Sequence, residues 1–98
     1  MLIRVLTMRV APGRLEDWLR FTRDVGFPGM RAQPGCHGIW RLREHGADHE
    51  YRVVTLWESL GDLQRFRASD AMRELSAAAA GLTIPPYAEM LLDVIEDE

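Results

Sequence analysis

The sequence has almost no cysteine, no long apolar run and no cluster of basic residues. Each shortage excludes something. One cysteine, Cys36, among 98 residues cannot close an intrachain disulfide, and a reducing, cytoplasmic setting is the expectation. No apolar run approaches the ~18 residues of a membrane helix, so no membrane partner is expected. The opening "MLIRVLTMRV" carries Arg4 and Arg9 inside its apolar run, which does not fit the core of a secretory signal. Arginine is scattered rather than gathered in a stripe, and the net charge is only -3. Nucleic acid is therefore not an expected partner. There is no internal repeat, and the only low-complexity tract is the helical "AAAA".

What remains is an ordinary globular composition, 47% apolar. That argues against disorder. The length suits one domain, expected to span residues 1–98.

Residues 2–10 read as a strand. Leu2, Leu6, Met8 and Val10 share one face, with Arg4 as the exception; Ile3 and Val5 take the other face with Thr7 and Arg9. Pro12-Gly13 ends it. Residues 14–25 have the spacing of an amphipathic helix through Leu15, Trp18, Leu19, Thr22 and Val25, with Glu16 and Asp17 in the first turn. Gly26 and Pro28 are expected to break it, with a short extra turn possible after them. "CHGIWRLRE" (36–44) and "EYRVVTLWE" (50–58) predict a hairpin around the turn "HGAD". Ser59 and Asp62 form a capping-box pattern for a second helix, which "ASD" at 68–70 interrupts and Ser69 or Asp70 can restart. "YAEMLLDVIED" (87–97) is the last predicted strand.

The order βαββαβ predicts an α+β, ferredoxin-like fold: a four-stranded antiparallel sheet with two helices on one face. The first, third and last strands are apolar on both faces. Helices cover only one face, and a large bare apolar patch is rarely left in water. A second copy of the same sheet is the simplest cover, so a homodimer through the open sheet face is expected.

This order, "QPGCHG" entering strand two, and "VVTLWES" leading into a helix with "RAS" near its middle resemble the antibiotic biosynthesis monooxygenase domains. The resemblance spans almost the whole chain. It implies a dimeric α/β barrel in which two sheets face each other. It also implies a cofactor-free oxygenase acting on a small quinol- or anthrone-like aromatic, with neither metal nor flavin. Other members of that family bind and degrade haem, and some have no known activity. The haem-degrading branch uses an Asn on strand one, then a Trp and a His on the second helix. Those places fall near Leu6, Phe66 or Arg67, and Ala77, and the whole chain has no Asn. Haem degradation by that route is not expected. A dimer that binds a small ligand without turnover stays open as the alternative.

The resemblance places a cavity between sheet and helices. Its candidate liners are Leu6, Trp18, Phe21, Trp40, Phe66 and Met72. They read either as an apolar slot for a flat ring or as plain core. Trp57 reads as scaffold, with an indole N–H that needs a partner. His37 is the candidate catalytic residue: an imidazole can take a proton from a phenol or an anthrone-type carbon acid. The other reading is a surface or interface His. Arg41 and Arg52 either stabilise an enolate or pair with glutamates across the sheet. His45, Asp48, His49 and Glu50 are close in sequence but sit in a hairpin turn, and no metal site is expected there. Cys36 is expected to be a buried structural thiol.

Overall fold

The computed structural model describes residues 1–96. Four strands, β1 (Leu2–Val10), β2 (Cys36–Leu42), β3 (Glu50–Trp57) and β4 (Thr83–Asp93), form one sheet in the order β2-β3-β1-β4. Every pairing is antiparallel. This is the expected ferredoxin-like α+β arrangement. The predicted last strand begins four residues too late, because the structure pairs Thr83 and Ile84 with β1 as well. Its predicted end, Asp97, lies outside the described residues.

Between Thr7 and Arg9 the β1–β4 register shifts, and Pro85, Pro86 and Tyr87 stand opposite Met8 alone. Proline cannot donate to a ladder, and the bulge falls on an edge strand, where that omission is tolerated.

The first helical layer corrects the expected break at Gly26 and Pro28. Helix α1 (Leu15–Phe21) continues through a π-helical turn, Thr22–Gly26, into α2 (Phe27–Arg31). The π turn resets the register so that Pro28 falls in the first turn of α2, where its missing N–H costs nothing. The carbonyls disturbed by the turn are satisfied locally. Thr22 Oγ1 donates to the Trp18 and Leu19 carbonyls at 2.9 and 3.1 Å. Arg41 reaches across from β2 to the Leu19 carbonyl at 2.9 Å.

The second layer is α3 (Leu60–Arg67) followed by α4 (Asp70–Ala78). Ser59 caps α3 through the Asp62 N–H at 3.2 Å, and Ser69 caps α4 through the Met72 N–H at 3.1 Å. The interruption at "ASD" is thus a cap-to-cap junction.

The two sequence motifs meet in space. Gly35 has φ +84 and its carbonyl accepts from the Glu58 N–H at 2.8 Å. A Cβ on Gly35 would stand 2.4 Å from Asp62 Cγ, so only glycine lets "QPG" lie against the cap of α3. Trp57 is fully buried behind this junction and stacks on Phe66 with centroids 5.4 Å apart. Its indole N–H donates to Thr55 Oγ1 at 2.8 Å, which supplies the partner that burial requires.

The helices cover the face bearing Leu2, Arg4, Leu6 and Met8 of β1 and Tyr51, Val53, Thr55 and Trp57 of β3. The other face is open. Val54 and Leu56 are half-buried there, and Trp40, Leu42, Met90 and Leu92 are exposed.

Candidate active site

The core divides into two clusters. One gathers Met8, Trp18, Phe27, Ile39, Tyr51, Val53 and Leu82. The other gathers Leu2, Trp57, Leu63 and Phe66. Met30 packs against both. Between them is a cavity of about 330 Å³, walled from one side by Trp18, Phe27 and Val53 and from the other by Phe66, Met72 and Leu75. Leu6 of the central strand β1 lies at its floor and is only half-buried, although it faces the helices. The void explains that exposure.

The volume lies at the small end of the ~300–1,000 Å³ typical of small-molecule sites. The wall is mostly apolar and rich in rings, which suits a flat aromatic guest. Thr22 and Gly26 of the π turn also border it, so the helical irregularity shapes the site. A Cβ on Gly26 would lie 3.2 Å from the Phe21 ring, which fixes how closely that ring can pack.

Of the expected liners, Leu6, Trp18, Phe21, Phe66 and Met72 all border this cavity. Trp40, expected among them, does not. It is 48% exposed and borders a separate depression at the β2 edge with Arg23, Arg31 and Arg41. The cause is the bulge at the start of β2. Cys36 opposes Trp57, but Gly38 opposes Leu56, so the residues that follow change face.

His37 falls within that bulge and does not reach the cavity. Its Nε2 lies 2.6 Å from Glu58 Oε2, with both side chains about half exposed. Arg41 is tied to Thr22 Oγ1 at 2.8 Å and lies over the Phe27 ring, and Arg52 is 3.9 Å from Glu50; neither borders the cavity. His49 contacts only its neighbour Asp48, at 3.2 Å in an exposed turn. Among the described residues no three His, Cys, Asp or Glu come together as a cation site. Cys36 is half-buried, and burial pushes its thiol up from the ordinary value. Ala77 is exposed on α4.

The charged group at the cavity is Arg4, which sequence reasoning set aside as an exception on an apolar face. It is 9% exposed and its Nε donates to Glu89 Oε2 at 2.7 Å. Arg67 holds the other oxygen of Glu89. Burial pushes the Glu89 carboxyl up, but the hydrogen bonds from Arg67 and Arg4 outweigh it and hold the pKa below the ordinary value. The signal in the sequence was the arginine itself: a charge on the buried side of a central strand needs a partner. Tyr87, at the β4 bulge, brings a further polar atom to the wall, bonded to Thr83 Oγ1 at 2.9 Å.

Comparison with known proteins gives this site its context. The model of a family described as antibiotic biosynthesis monooxygenase matches residues 1–78. No curated protein matches the chain. Among solved structures, a protein of Bordetella bronchiseptica that carries the family's name superposes with a TM-score of 0.86 at 22% identity, over 97% of each chain. One from Caulobacter crescentus gives 0.82 at 21% identity, over 97% of this chain and 90% of that one. SnoaB of Streptomyces nogalater, a cofactor-independent oxygenase, gives 0.79 at 20% identity, over 98% and 94%. At such identities these structures speak for the fold, and the match over residues 1–78 speaks for the family: the chain belongs to the antibiotic biosynthesis monooxygenases.

Proposed function

We propose that the protein is a cofactor-independent monooxygenase acting on a small, flat, electron-rich aromatic of quinol or anthrone type, bound between the sheet and the helices. One observation carries this reading. A cavity of about 330 Å³ lies between the two core clusters, walled by rings, bordered by one buried guanidinium and open to solvent past exposed Ser76, Gly81 and Tyr87. Leaving that apolar wall unfilled forfeits packing and costs stability, which favours a guest that fills it.

The chemistry needs little from the protein. An anthrone-type CH₂ loses a proton to buffer and becomes an enolate. The enolate passes an electron to O₂, the radicals combine through a new C–O bond, and the hydroperoxide sheds water to leave a ketone. Dioxygen supplies one oxygen to the product and one to water, so no external reductant is required. The apolar wall orients the ring and keeps water out. A cation beside the developing oxyanion lowers the cost of deprotonation. Arg4 is the group placed for that role; His37, outside the cavity, is given none. Oxygen uptake by metal-free protein against anthrones, quinols and polyphenols tests the reading, and a folded protein that never exceeds the spontaneous rate would end it.

A second reading, ligand binding without turnover, is favoured by the wall's make-up. Among the described residues it holds no His, Cys, Asp or Glu. Saturable binding with no uptake would select it.

The open sheet face supports a homodimer. Trp40, Leu42, Met90 and Leu92 expose between 45% and 57% of their surface on it, around half-buried Val54 and Leu56. A second copy covers it isologously. Sedimentation at micromolar concentration should give the dimer mass; a stable monomer would refute this.

A further inference from the structure

The cavity's charge is unbalanced. Glu89 is one carboxylate held by two guanidiniums, Arg4 from inside the fold and Arg67 from its surface. Neither arginine has another acidic partner among the described residues. The three groups therefore carry one net positive charge. Arg4 spends only its Nε on Glu89. Its two terminal nitrogens make no hydrogen bond among the described residues, yet no buried side-chain nitrogen is left sealed and unsatisfied there. Arg4 is 9% exposed and lines the cavity, and its terminal nitrogens are neither sealed nor committed elsewhere among the described residues, so they are available to a guest there. A guanidinium with free donors, the one charged group in a mostly apolar wall, is a strong selector for an oxyanion.

We infer that the ligand of this cavity is an aromatic bearing an anionic oxygen group, seated on the terminal nitrogens of Arg4. An ionised phenol or enol, a carboxylate and a sulfonate share that chemistry. Glu89 and Arg67 are positioning residues. Glu89 fixes the Arg4 fork through Nε, and Arg67 neutralises Glu89 from outside so that the Arg4 charge stays available to the guest. The inference rests on the cavity being the ligand site, and it names the class of ligand that the site takes.

A matched pair of dyes tests it without turnover. 8-Anilinonaphthalene-1-sulfonate and N-phenyl-1-naphthylamine share one ring system and differ by the sulfonate; both brighten in apolar sites. Wild-type protein should bind the sulfonate about tenfold more tightly or better, the worth of one charge-assisted hydrogen bond. Arg4→Met should erase that preference and keep the neutral dye. Arg67→Gln should weaken only the sulfonate, because Glu89 then draws wholly on Arg4. Glu89→Gln should tighten the sulfonate, because a competing carboxylate is gone.

That last sign is the one a merely structural role would not produce. The Arg67 and Glu89 variants lie at the surface and keep the test alive if Arg4→Met fails to fold. Ala79→Trp, which fills the cavity, should abolish both dyes. Equal affinities in wild type, a sulfonate preference that survives Arg4→Met, or dye binding unchanged in Ala79→Trp would each overturn the inference. The oxygenase reading fails separately: uptake with neutral quinols and no anion preference would keep it and discard this one, and anion preference with no uptake would do the reverse.

Discussion

Replacing Leu6 with phenylalanine should stabilise the protein while weakening ligand binding. Leu6 is on the central strand and faces the helices, yet it is only half-buried because the cavity stands over it. The substitution adds a ring and no polar atom, on a strand where aromatic residues are favoured. If the void is preformed, the ring enters it and apolar surface leaves water. Cavity filling commonly gains ~0.5–2 kcal/mol. A gain of ~1 kcal/mol in a domain this small raises Tm by ~4–8 °C. In a packed core the same change would cost ~1–3 kcal/mol through overpacking. The two cases differ in sign, so scanning calorimetry on wild type and variant decides between them. Binding of N-phenyl-1-naphthylamine by the variant should fall. A lower Tm, or a higher one with dye binding intact, would refute the placing of the void.

Other substitutions and conditions probe the frame around the site. Thr55→Val leaves the indole N–H of fully buried Trp57 without its acceptor and should cost ~1–3 kcal/mol in urea unfolding, and distinctly less when made in a Trp57→Phe background that has no N–H to satisfy. Gly35→Ala forces a side chain to φ +84 and against Asp62, so roughly 1–2 kcal/mol of backbone strain adds to a disturbed α3 cap; unchanged stability would show that Gly35 can move aside. Acid should weaken the fold through Glu89. Its pKa is lower folded than unfolded, so its contribution is complete above the ordinary carboxylate range near ~4.3 and is lost as pH falls through the lower folded value. Glu89→Gln should therefore flatten the acid limb of a stability–pH curve, and an unchanged limb would count against the trio.

Much of this architecture is legible in the sequence because its signals are local. The alternation in β1 and β3, the Ser59 and Ser69 caps and the helical spacing of Trp18 and Phe66 each depend on a few neighbouring residues. Five of the six expected liners border the cavity, whose place the family resemblance implied and whose facing residues the local spacing supplied. Trp40 does not, because one extra residue between Cys36 and Gly38 inverts every face after it, and nothing local announces the bulge. The same bulge takes His37 to the surface beside Glu58. Gly26 and Pro28 look like a helix end, but a π turn absorbs them, and that depends on Arg41 arriving from β2 to meet the Leu19 carbonyl. Arg4 was visible as the charge that breaks an apolar face. Its meaning required Glu89, 85 residues away, which only the β1–β4 pairing brings near.

The measurement that tests the central claim most directly is mass spectrometry of the product formed from an anthrone under isotopically labelled dioxygen, by protein stripped of metal and flavin. The account predicts a ketone carrying a single labelled oxygen atom, formed faster than in buffer alone, with the other labelled atom recovered as water. Unlabelled product, or labelled product at the rate seen without protein, would contradict it.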